Sequence, residues 1–83
     1  MSGAAAVTPA QPLLTVDGLN GLVVTDPDWE NRVDAASALG ASKDPEAFTG
    51  LEAALSDSNE FVRMSAARQR RALEAAGVAR PAN

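Results

Sequence analysis

Two places in this 83-residue chain carry the same helix-start pattern, Asp26-Pro27-Asp28 after Thr25 and Asp44-Pro45-Glu46. Aspartate is a strong N-cap. Proline is tolerated at the first helical position because its missing N–H has no intrahelical partner there. An acid in the first turn suits the helix dipole. Each start is followed by an apolar stripe of helical period. Trp29, Val33, Ala36 and Gly40, with Leu39 beside them, predict a helix over about 27–40 closed by Gly40. Phe48, Leu51, Ala54 and Leu55 predict a second over about 45–56. Asp57-Ser58-Asn59 interrupts it, and Asp57 or Ser58 caps a third. There Phe61, Val62, Ser65, Ala66, Gln69, Ala72, Leu73 and Ala76 trace a long face bounded by Gly77 and Pro81.

Residues 13–24 are less constrained. Thr15 can cap a short helix that turns Val16, Leu19, Leu22 and Val23 inward, although Gly18 and Gly21 each cost such a helix about 1 kcal/mol. Asp17-Gly18 and Asn20-Gly21 are also turn dipeptides, so a hairpin stays open beside the favoured helix. Elsewhere β-branched residues are too scattered to build a sheet.

Shifting the chain along itself by 31 positions sets Asp26 on Asp57, Arg32 on Arg63, Ala35 on Ala66 and Ala36 on Ala67. A period of this size belongs to stacked helical hairpins. The run Asp57-Ser58-Asn59-Glu60-Phe61-Val62-Arg63, followed by Ala66-Ala67, resembles the HEAT-like repeat signature. Asp44-Pro45-Glu46-Ala47-Phe48 with Leu51 and Leu55 resembles the first helix of that repeat. Asp26 to Arg32 with Ala35-Ala36 resembles the second helix of a preceding one. The short period is similar to repeats of the phycobilisome-lyase type. Asn31 departs from the pattern where Val is usual, and Arg70 where Leu is expected. The resemblance spans about residues 26–70. It implies an Asp–Arg ladder that links repeat to repeat.

Repeat physics supports the same architecture. A helical hairpin buries its apolar side only by stacking on a neighbour. Ala35, Ala36, Ala53, Ala54, Ala66 and Ala67 allow close helix approach, while Trp29, Phe48, Leu51, Leu55, Phe61 and Leu73 fill volume. The expected fold is all-α: about two antiparallel helical hairpins stacked as a short HEAT-like α-solenoid over residues 13–78. Residues 1–12 and 79–83 are expected to be disordered tails. Two repeats are fewer than the three or so that usually suffice, so an exposed repeat face is expected to meet a partner or a second copy.

Composition narrows the functional classes. The chain has no cysteine, histidine or tyrosine. Disulfides and thiolate metal sites are excluded, and the usual neutral-pH base and commonest transition-metal ligand are missing. Ser37, Ser56, Ser58 and Ser65 have no histidine to activate them. Asp26, Asp28 and Glu30 lack the alternating ligands, glycine and distal glutamate of a calcium loop. Asp17-Gly18-Leu19-Asn20-Gly21 lacks the lysine and strand context of a phosphate loop. No apolar stretch approaches bilayer length and the N-terminus does not read as a signal peptide, so a cytoplasmic protein is expected. No enzyme activity, cofactor or metal is expected.

The net charge of −4 is unevenly spread. Residues 1–60 hold ten acids against Arg32 and Lys43, a net −8, whereas residues 61–83 hold five arginines against Glu74, a net +4. Such asymmetry speaks to partners, not to fold. The expected function is a non-catalytic protein–protein interaction module, an adaptor or assembly factor, whose partner offers an acidic face. Its candidate contact residues are Trp29, a residue type enriched in binding hot spots, and Arg63, Arg68, Arg70 and Arg71 of the last helix. One alternative is an accessory to phycobilin attachment or removal, which rests on the resemblance alone. Another is weak nucleic-acid binding through the Arg-rich helix, which has no aromatic interleaving and sits on an acidic chain.

Overall fold

The computed structural model describes residues 15–81, so the tail expected at 1–12 lies outside the described residues. Four helices follow one another: α1 (Val16–Thr25), α2 (Trp29–Ser42), α3 (Ala47–Ala54) and α4 (Glu60–Ala75), and no strand occurs among the described residues. Residues 16–25 are helical, not a hairpin, with Thr15 Oγ1 accepting from the Gly18 amide as expected of the cap. Asn20 does not make a turn. Its side chain crosses to α3, where its Oδ1 accepts from Gly50 N at 2.9 Å and its Nδ2 donates to Glu46 O at 2.9 Å.

The three aspartates expected near helix starts each lie two residues before the N-cap position. Asp26, Asp44 and Asp57 accept the backbone N–H two residues on, from Asp28, Glu46 and Asn59, at 2.8–2.9 Å. These are Asx turns, in which the side chain stands in for a backbone turn. The caps of α2 and α4 are therefore Asp28 and Asn59, replacing the expected Asp26 and Asp57 or Ser58. Pro27 and Pro45 fall in the turns, outside the helices.

Gly40 was expected to close α2. The helix instead runs on to Ser42 and ends at Lys43, which adopts a left-handed conformation (φ 57°). Gly40 is buried inside the helix, where an added Cβ would collide with the Gln69 side chain of α4. It serves close approach, not termination. At the other end, Gly77 (φ +81°) does terminate α4. Gly77 N donates to Glu74 O and Val78 N to Leu73 O, the paired bonds of a Schellman cap.

The helices form two layers. α1 and α3 pair in one, α2 and α4 in the other, and α1 and α4 do not touch. Phe48, Leu39, Leu51, Leu73, Val23 and Val62 are fully buried between the layers. Several expected core residues are not there: Trp29 is 39% exposed and Phe61 56%, and Ala53, Ala72 and Ala76 also face solvent. Beyond the expected domain boundary at 78, Arg80 reaches back, its guanidinium 4.7 Å over the Phe48 ring and paired with Glu52 and Glu74.

Candidate functional site

Helical spacing splits the apolar residues of α4 into two stripes. Val62, Ala66 and Leu73 face the core and are fully buried. Phe61, Met64 and Arg68 follow a separate stripe turned more than a third of the way round the helix. On α2, Trp29, Val33 and Ser37 make a matching row at i, i+4 and i+8. The two rows meet where Trp29 stacks on Phe61, with ring centroids 5.4 Å apart and planes at 27°. Beside the stack lies a groove of about 290 Å³ floored by Val33 and Met64 and edged by Arg68. On the other side of Trp29 a second hollow of about 400 Å³ is edged by Glu30 and Asp34. Trp29 is thus the wall between a cationic edge and an anionic one.

The candidate contact residues divide on this geometry. Trp29 and Arg68 come together in one groove. Arg63 lies on the opposite flank of α4 and donates from Nη1 to Asp57 O at 2.7 Å. Arg70 shares that flank, is partly buried, and has no acceptor for its Nε. Arg71 is exposed between the flanks. Sequence reasoning placed Phe61 in the core and gave Met64 no role. A signal was present, because adjacent Phe61 and Val62 cannot both face the same side of a helix.

The expected Asp–Arg ladder takes a definite form. Arg32 bridges the repeats: its Nε and Nη2 donate to Asp57 Oδ2 and Oδ1 at 2.8 and 3.0 Å, and its Nη1 to Asp26 O at 2.7 Å. Both side chains are largely buried. The bidentate bond to Arg32 holds the Asp57 carboxyl below the usual carboxylate range, against the opposing effect of burial and with help from Asn59 N–H. Arg32 is shifted up in turn, mainly by the same hydrogen bonds. This pair rivets one repeat to the next.

Among the described residues no group of three or more acids could hold a metal ion, and no helix is long and apolar enough to cross a membrane. Two antiparallel hairpins joined by the Arg32–Asp57 contact, with an open face on the second helices, define a short helical solenoid. The family model for HEAT repeats matches residues 15–79, and the chain belongs to that family. No curated protein and no solved structure matches it.

Proposed function

We propose that this chain is a non-catalytic protein-binding module whose contact surface is the α2/α4 face built around Trp29 and Phe61. The exposed aromatic stack carries the reading. Two large rings side by side and open to water cost hydration free energy that a partner's apolar side chain would recover, and such anchors dominate binding energetics. Arg68 at the groove edge sets the polarity of the ligand: a protein segment with an apolar anchor followed by a carboxylate. Membership of a helical-repeat family accords with this, since stacked second helices present a continuous surface.

The late arginines fan around three sides of α4 instead of forming one basic stripe, which weighs against a nucleic-acid surface. The test is affinity capture from the native host with the wild-type chain, the Trp29→Ala/Phe61→Ala double variant and Arg68→Glu, each confirmed folded by circular dichroism. A partner retained by the wild type and lost from both variants supports the reading. Identical captures from all three would overturn it.

A further inference from the structure

The contact that joins the two repeats is half built again at each end of the stack. Arg63 stands 31 residues after Arg32 and repeats one of its bonds, Nη1 to Asp57 O at 2.7 Å where Arg32 gives Nη1 to Asp26 O at 2.7 Å. Arg32 spends its remaining donors on the Asp57 carboxylate. Arg63 is exposed and pairs with no carboxylate among the described residues. Asp26 stands 31 residues before Asp57 and is held the same way, its Oδ1 accepting from Asp28 N as Asp57 Oδ1 accepts from Asn59 N. It also receives Asn31 Nδ2 at 3.2 Å, yet no cation among the described residues pairs with it.

We propose that the chain associates head to tail with a second copy of itself, Arg63 of one copy pairing with Asp26 of the next, so that the internal seam recurs between molecules. The surface around Asp26 fits this occupant. It is an apolar groove of about 350 Å³ between α1 and α2, lined by Leu19, Leu22, Ala35 and Ala38 and edged by Asp26 and Asp34. Counted on by 31, Leu19, Ala35 and Ala38 become Gly50, Ala66 and Gln69. In the second repeat Gly50 lies against Asn20 of α1, Ala66 is fully buried, and Gln69 lies against Gly40 of α2. Apart from Leu22, whose counterpart Ala53 is exposed, the groove is thus the register equivalent of a surface that the chain already fills with its own helices.

Charge selects the same mate. The groove edge is acidic, and the α4 flank that would enter it carries Arg63 and Arg70, with exposed Arg71 beside them. Arg80 covers Phe48 and pairs with Glu74, one turn beyond Arg70 at the C-terminal end of α4. A polar end by itself is what a capped solenoid needs. An apolar, acid-edged groove at one end and a matching arginine flank at the other is what an extending one needs.

The test is sedimentation of the full chain across a concentration series at low and high salt. The mass is expected to rise with concentration and to fall as salt is added. Arg63→Gln and Asp26→Asn should each weaken association by about tenfold or more. Asparagine keeps the oxygen that accepts from Asp28 N, so the turn survives, and circular dichroism checks both folds. Mixing the two variants is the decisive arm. Only the intact Arg63 of one and the intact Asp26 of the other can pair, so the mixture should associate more tightly than either alone and stop at a dimer. A wild type that stays monomeric at every concentration, or a mixture no tighter than its components, would overturn the proposal. So would a monomer that begins to associate once residues 1–14 are removed, because the groove would then belong to the chain's own N-terminal segment.

Discussion

Helices α2 and α4 meet along two very different borders. On the inner border Arg32 reaches Asp57, Gly40 lies against Gln69, and Leu39, Val62 and Ala66 are excluded from water. On the outer border Trp29 and Phe61 stack on each other and remain partly open to solvent. One pair of helices thus carries a buried border and a solvent-exposed aromatic one, and the second is the contact surface proposed above. Substitutions on the inner border should unfold the chain. Those on the outer border should leave it folded and silence it.

The largest effects belong to the fully buried side chains. Phe48→Ala should cost about 3–5 kcal/mol and Leu39→Ala about 2–5 kcal/mol. A domain this small has on the order of 5 kcal/mol of stability to lose, so either variant should be largely unfolded at room temperature. Thermal melts followed by circular dichroism read this directly. A sharp, unshifted melt for both would show that the seam is not the core.

Close approach comes next. An added Cβ at Gly50 would lie 2.9 Å from the Asn20 Cα, which is backbone, so α1 itself must shift. At Gly40 the obstruction is the end of the flexible Gln69 side chain, with Cδ 2.8 Å away. Gly50→Ala should therefore cost about 1–3 kcal/mol, and Gly40→Ala measurably less. Urea denaturation of the two variants ranks them, and the reverse order would mean that α4, not α1, sets the spacing of the repeats.

The Arg32–Asp57 pair should give the inner border a pH signature. Asp57 has a lowered folded-state pKa, so its contribution is complete above the unfolded carboxylate pKa and is lost as pH falls through the lower folded value. Arg32 stays charged throughout. Wild type and Asp57→Asn should differ most in melting temperature near neutrality and converge in strong acid. A constant gap between the two curves would show that the carboxylate is held by shape and not by charge.

The helices themselves were legible because their signals are local. Period, acid-rich starts and the Gly77 stop need only a few neighbouring residues, and Thr15 and Gly77 act as those rules expect. Tertiary partners account for the misreadings. Gly40 looks like a terminator until Gln69 of another helix is placed beside it, and Asn20-Gly21 looks like a turn until Asn20 finds Gly50. The interaction face was half legible. Residue type points to Trp29 and Arg68, whereas helical spacing alone puts Phe61 on the same long face as Val62. Its exposure becomes visible only when the helix phase is fixed by Val62, Ala66 and Leu73.

The smallest predicted effect on stability falls on the outer border, and it separates the two borders most cleanly. Trp29 and Phe61 stack with little burial, so their mutual coupling should be worth about 0.5–1.5 kcal/mol. A double-mutant cycle of Trp29→Ala, Phe61→Ala and the pair, read by chemical denaturation, isolates that coupling from the area each ring loses alone. Partner capture should nonetheless fall as sharply as it would for an unfolded chain. Trp29 is the only tryptophan, so its fluorescence in the Phe61→Ala variant also reports whether the indole stays solvent-facing when its neighbour is gone. A coupling of several kcal/mol would move the stack to the stability side, because rings that contribute so much to folding are not held in reserve for a partner.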